Sequence, residues 1–276
     1  MKRILWGSLV AAAAVSAVVS GPQARAQGAG RAAQSAKPAQ NAQAPAAPRL
    51  WYSVNVVTVK RETAAEWREF QKTQSIPLQQ RGGMKMRDTW ASGAPFGDGS
   101  TFVLVTEIEK FADYDQPPLP QRLLTGEALR TYQGTNQRLV TSNHMYAVQS
   151  RPELSLPPAA GATIMGAILT ETTVVNGHAD QYEAYLKNDL VPVLKKGNVL
   201  GYTVGRTVFG GNANEYHTLQ YFDSYADIDK GPVPVRVLGP AGAQTLLAKG
   251  TAHIASINRT VLRYVPELSF RPRPMS

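Results

Sequence analysis

The chain has 276 residues, 43% of them hydrophobic, with 29 Lys and Arg against 20 Asp and Glu and no cysteine. That is enough length for one large or two small domains, and the lack of cysteine excludes disulfide staples, thiolate catalysis and Cys-ligated metals. Six of the basic residues lie before Leu50, which leaves a net charge of +3 over the rest with no basic cluster, and this excludes a nucleic-acid footprint.

Residues 1–26 read as an export signal: Lys2 and Arg3, an apolar run from Ile4 to Val19, then Ala24-Arg25-Ala26 as a small-x-small cleavage site. The expected location is the periplasm or the exterior, with no membrane span after removal. Residues 27–49 are rich in Ala, Gln and Pro and lack large apolar side chains, the composition of a disordered tether.

From 50 to 156 the periodicity predicts strand, helix, strand, strand, helix, strand. The β-branched WYSVNVVTV is the first strand. Thr63-Ala64-Ala65-Glu66 has the spacing of a capping box for a helix carrying Trp67, Phe70 and Leu78, which ends at Gly82-Gly83. MKMRDTW and TFVLVTEIE flank the turn Phe96-Gly97-Asp98-Gly99-Ser100 as a hairpin. A Pro-rich stretch then leads to a helix with Leu129, Tyr132 and Leu139, and NHMYAVQS closes the unit.

From 157 to 276 the order repeats: GAILTETTVV, a helix with Tyr182, Tyr185, Leu186 and Val193, GYTVGRTVF, a turn at Gly210-Gly211-Asn212, EYHTLQYF, a helix through Leu246, Gly250 and Ile254, then RTVLRYV. The sequence repeats as well. FADYDQPPLPQRLL recurs as YADIDKGPVPVRVL, and Pro152-Glu153-Leu154-Ser155 as Pro266-Glu267-Leu268-Ser269; at an offset of 114, 13 of the 45 residues from Phe111 to Ser155 are identical. Pro77 and Pro192 correspond at an offset of 115. The expected fold is α+β: two βαββαβ repeats, each a four-stranded sheet with helices on one face, packed sheet to sheet as a pseudo-twofold barrel.

The element order, the duplication and the strand-aromatic-helix pattern around Trp67 and Tyr182 resemble the dimeric α/β-barrel superfamily, which includes NIPSNAP-like proteins and cofactor-independent antibiotic-biosynthesis monooxygenases. The resemblance implies ferredoxin-like repeats and a small-molecule ligand in the barrel lumen. It also implies a possible activity, oxidation of a phenolic or quinol compound without a cofactor. The superfamily includes haem enzymes with a histidine ligand in the C-terminal module; His253, where the first repeat has Leu139, would be that ligand. Without chemistry, the chain would be a periplasmic binding or accessory module.

Alternation on the third strand puts Phe102, Leu104, Thr106 and Ile108 toward the helices and Val103, Val105 and Glu107 toward the lumen, with His217, Leu219 and Tyr221 the equivalents in the second half. Glu107, His217 and Tyr221 are therefore the candidate catalytic set for an acidic phenol or enol, with His217 expected to titrate near neutral pH. Asn55 and Trp90 are candidate ligand contacts. His178 is expected to begin a helix, and His144 to be exposed. The four histidines show no metal-ligand spacing, and no GxSxG, Walker or dinucleotide fingerprint occurs. Oligomeric state is not encoded in any motif.

Overall fold

The computed structural model describes residues 47–93 and 95–271; the proposed signal and all but the last three residues of the proposed tether lie outside them. In chain order the elements are β1 (Trp51–Val59), α1 (Ala64–Phe70), α2 (Ile76–Arg81), β2 (Arg87–Ser92), β3 (Thr101–Ile108), α3 (Leu119–Leu123), α4 (Gly126–Leu139) and β4 (Val140–Ser150). The second half follows with β5 (Gly166–Val174), α5 (Ala179–Tyr185), α6 (Val191–Lys196), β6 (Gly201–Phe209), β7 (Glu215–Phe222), α7 (Ala226–Asp229), α8 (Val233–Thr251) and β8 (Ile254–Tyr264). Among the described residues no helix is long and apolar enough to cross a membrane.

All eight strands form one closed antiparallel barrel in the order β1-β3-β2-β8-β5-β7-β6-β4. Long ladders lie within each half, such as Val54 opposite Val105 and Tyr146. The halves are joined by shorter ones: Trp90 opposite Tyr264 between β2 and β8, and Val148 opposite Thr207 between β4 and β6. Contact between the halves is therefore by strand edges as well as across the lumen, where the sequence reading placed sheet against sheet. Closure removes the unpaired edges that two separate four-stranded sheets would present.

The repeated Pro-Glu-Leu-Ser segments reinforce both joints. After β4, Leu154 is buried and the Ser155 hydroxyl accepts the Val204 N–H at 3.0 Å, while Leu156 bridges to Tyr202. After β8, Leu268 is buried and the Ser269 hydroxyl accepts the Thr89 N–H at 2.9 Å, while Phe270 bridges to Arg87. Each half's C-terminal segment thus pins the second strand of the other half.

The helices cover the outer face. Between α1 and α2, and again between α5 and α6, the chain makes a π turn, Gln71–Ser75 and Leu186–Leu190, just before Pro77 and Pro192. A proline inside a helix lacks the N–H and crowds the carbonyl four residues back, and the wider π turn accommodates both. Thr63 precedes α1 but makes no side-chain cap: its hydroxyl donates to the Lys60 carbonyl, and Glu66 pairs with Arg138 on α4 instead of reaching back. The expected capping box is not formed, because a stronger charged partner takes the carboxylate. Helix α8 is broken at Gly239, whose φ of 71° only glycine adopts freely, followed by Pro240.

Three apolar clusters result. Val57, Trp67, Phe102 and Leu104 fill the layer between the first-half strands and their helices. Tyr182, Leu186, Leu194, Tyr202 and Tyr216 occupy the same layer in the second half. Val54, Trp90, Val103, Tyr146, Val148 and Leu262 fill the lumen.

Candidate functional site

An eight-stranded barrel is just wide enough for side chains to fill, and this lumen is a packed core with polar groups toward its two ends. At one end His217 stacks on Tyr146, ring centroids 5.0 Å apart, and its Nε2 meets the Thr207 hydroxyl at 2.7 Å. Its Nδ1 is buried without a hydrogen-bond partner. Glu171 and Glu215 stand 4.0 and 3.8 Å from its two nitrogens, beyond hydrogen-bond reach. Burial pushes the imidazole down to about 4, so His217 is neutral at neutral pH and does not titrate where the sequence reading expected.

Tyr221 lies four residues along the same strand, roughly 13 Å away at the usual rise. It stacks on Trp90 at 5.9 Å, and its hydroxyl meets that of Thr203 at 3.0 Å. Trp90 also packs on Tyr264. Glu107 is opposite Tyr52, whose phenol is pushed up mainly by burial and then by the Glu107 charge. Among the described residues no hydrogen bond or ion pair joins Glu107, His217 and Tyr221, so the structure does not gather the expected catalytic set at one point.

Asn55 is not in the lumen. It alternates with Val54 and Val56, which belong to the lumen cluster, and shares the helix-facing side with Val57. Its first-strand run carries valines on both faces, so the sequence pattern did not fix its direction. Trp90 is in the lumen and 4% exposed, held between two tyrosines.

His253 also departs from expectation. α8 ends at Thr251, and His253 sits in the turn before β8 with its Nδ1 3.3 Å from Nδ1 of His178, the residue preceding α5. It does not line the space beneath the second-half helices. Tested as a haem ligand, it fails on position, since its ring nitrogen is directed at another imidazole and no histidine lines the neighbouring cavity. Among the described residues no group of three or more His, Asp or Glu is placed to hold a metal ion.

Space for a ligand lies on the other face of the sheet. A cavity of about 550 Å³ opens between the second-half strands and α5, α6 and α8. Tyr182, Leu186, Leu190 and Leu194, spaced by four residues, form its helical wall; Thr170, Thr172, Tyr202, Thr218 and Gln220 form its floor. Burial pushes the phenols of Tyr182, Tyr185 and Tyr202 up, Tyr185 to about 12, with hydrogen bonds from Thr172 and Thr218 opposing this at Tyr182 and Tyr202. At neutral pH these phenols are protonated and can donate hydrogen bonds. Arg259 lines the cavity as a cation, and the lining carboxylate Asp227 is paired with Lys230. The wall can hold a flat apolar body and the phenols and threonines can fix its oxygens, but no lining group is a free base near neutral pH.

The sequence contained a sign of this cavity. At helix-facing positions of β3 the first half has Phe102 and Leu104, whereas β7 has Tyr216 and Thr218, and polar groups on a covered face imply a partner there.

No protein-family model matches the chain, and no curated protein matches it in sequence. Among solved structures, a candidate monooxygenase from Lactobacillus acidophilus superposes with a TM-score of 0.52 at 10% identity, covering 81% of this chain and 96% of its own. A candidate monooxygenase from Fusobacterium nucleatum gives 0.53 at 10% identity, covering 78% and 92%. A chlorite dismutase variant from Candidatus Nitrospira defluvii gives 0.50 at 10% identity, covering 78% and 92%. The likeness is one of fold alone.

Proposed function

We propose that the chain is an exported small-molecule-binding α/β-barrel protein that takes a flat phenolic or quinol compound into the second-half cavity. The cavity carries this reading: a helical wall of three leucines with Tyr182 and Tyr185 faces a floor of Tyr202 and threonines, and apolar area with protonated phenols matches an aromatic body bearing hydroxyl groups. The ligand sits on the helix side of the sheet, since the lumen is filled by side chains. Export and a periplasmic or extracellular location rest on residues 1–26 of the sequence, with residues 27–49 as the tether.

The barrel is two ferredoxin-like repeats, 50–156 and 157–276, about a pseudo-twofold axis. Support comes from the strand orders β4-β1-β3-β2 and β8-β5-β7-β6 and from the paired roles of Ser155 and Ser269. Duplication leaves one half free to keep the scaffold while the other carries a site.

Cofactor-independent oxygenation is the second reading. It is favoured by the protonated phenols and Arg259, which would stabilise a ligand oxyanion; with no free base in the cavity, the ligand would have to be acidic enough to ionise unaided. One experiment separates the two. A panel of phenols and quinols is screened by thermal shift against wild type and Leu190→Trp, which fills the cavity, while dissolved oxygen is recorded. A shift confined to wild type with no oxygen uptake supports binding alone, and uptake confined to wild type supports oxygenation. Equal shifts in both proteins would move the ligand elsewhere.

A further inference from the structure

We propose that Arg87 is the centre of a second site, in the layer between the first-half sheet and its helices, which binds the carboxylate of a small organic acid. Arg87 is 1% exposed. Its Nη1 donates to Gln71 Oε1 at 2.9 Å and Gln79 Oε1 at 3.1 Å, and its Nε to Thr89 Oγ1 at 3.1 Å. All three acceptors are neutral, and Nη2 is buried with none. The adjacent Asp88 is on the opposite face of β2 and pairs with Arg271, so among the described residues no carboxylate answers this guanidinium. A guanidinium stays charged even when burial pulls it down to about 10. A buried charge held only by neutral partners is costly, and a bound anion removes that cost.

Two further atoms in the layer lack partners. Trp67 Nε1 is a buried donor with no acceptor, one helical turn from the Gln71 that holds Arg87. Asn55 Oδ1 is an acceptor with no donor. Two unanswered donors suit a carboxylate; the acceptor suits a hydroxyl on the same ligand, so hydroxylated acids are favoured over bare ones.

The fold does not demand this polar set. At the offset of 115 that relates the two halves, Arg87 corresponds to Tyr202, Gln71 to Leu186 and Gln79 to Leu194, and the second half folds with those residues. The acid would enter by way of the surface groove of about 720 Å³ bordered by Pro77, Leu78 and Tyr132, which reaches the residue preceding Gln79. The Tyr132 hydroxyl at the groove's border meets that of buried Ser75 at 3.2 Å. This site is distinct from the second-half cavity and stands or falls independently of it.

The test is a thermal-shift titration of the folded chain with sodium glycolate and sodium acetate, at constant ionic strength set by a bulky sulfonate. Wild type is expected to show a saturable rise in Tm with both, glycolate acting at severalfold lower concentration. Arg87→Met, similar in volume and uncharged, is expected to respond to neither; it takes the donor from the Gln71 and Gln79 carbonyls, so the response to added acid and not the starting Tm is the readout. Trp67→Phe keeps Arg87 and is expected to need severalfold more glycolate, which holds the test even if Arg87→Met fails to fold. Absence of a saturable rise in wild type, or the same rise in Arg87→Met, would overturn the proposal.

Discussion

The Ser269 hydroxyl accepts the backbone N–H of Thr89 at 2.9 Å across 180 residues of chain, and it is itself anchored by donating to the Val265 carbonyl at 2.8 Å. Ser155 repeats the arrangement, donating to the Arg151 carbonyl at 2.7 Å and accepting from Val204 at 3.0 Å. Thr89 and Val204 are both buried, so removing either hydroxyl leaves an amide that water cannot reach. Ser269→Ala and Ser155→Ala are each expected to cost about 1–3 kcal/mol in urea unfolding. The two clasps act at different joints, so the double variant should lose nearly the sum. A loss within the scatter of a surface substitution would mean that the clasp does not hold the joint.

A half-chain should not survive as a monomer. Residues 50–156 alone would bare the edges of β2 and β4 together with the lumen side chains Val54, Trp90, Val103, Tyr146 and Val148. Bare edges and a large apolar face both drive association. Size-exclusion chromatography of the isolated half is expected to show dimers or aggregates, and a well-folded monomer would argue that the joints are dispensable.

The order of strands and helices was legible because the chain states it twice, with turns at Gly82-Gly83 and Gly210-Gly211 and alternation along TFVLVTEIE. The Pro-Glu-Leu-Ser repeat was visible too, but its role was not: it pins a strand in the other half, and nothing local encodes that pairing. Side-chain direction was harder. WYSVNVVTV carries valine on both faces, so period 2 could not turn Asn55 one way, whereas Phe102 and Leu104 mark a face by size. The last helix, read through Ile254, stops at Thr251, with His253 in the turn and Ile254 opening β8, since an apolar pattern does not show where a helix stops. The cavity escaped because a void has no sequence of its own. Its trace was Tyr216 and Thr218 on a covered face where the first half has Phe102 and Leu104.

Gly250 sets the width of that cavity. A methyl group there would lie 2.6 Å from the Tyr185 ring, which must move for it to fit. Gly250→Ala should gain a few tenths to about 1 kcal/mol from helix propensity and lose about 1–3 kcal/mol to overpacking, a net destabilisation. If the cavity binds a flat ligand as proposed, displacement of Tyr185 should weaken it more than tenfold. Thermal melts with and without the best phenol from the screen check both effects, and unchanged affinity in a folded Gly250→Ala protein would take Tyr185 out of the site.

The buried His217 gives stability a pH dependence whose sign is fixed. Its folded pKa, about 4, lies below the ordinary 6.5, because burial disfavours the charged ring. Below pH 6.5 the unfolded chain therefore takes up a proton that the folded one refuses, and stability falls as the pH drops from about 6.5 to about 4. The full effect is about 3 kcal/mol at 1.36 kcal/mol per pH unit, with burial as its cause; Glu171 and Glu215, at 4.0 and 3.8 Å, are the groups that would oppose it. His217→Gln can still meet Thr207 but takes no proton. Urea unfolding of both proteins between pH 7.5 and about 4 isolates the term, since the carboxylates are common to both and only the difference matters. Wild type is expected to lose about 2–3 kcal/mol relative to the variant over that range, whereas parallel curves, or a wild type that gains on acidification, would show that the two carboxylates hold His217 charged in the folded barrel.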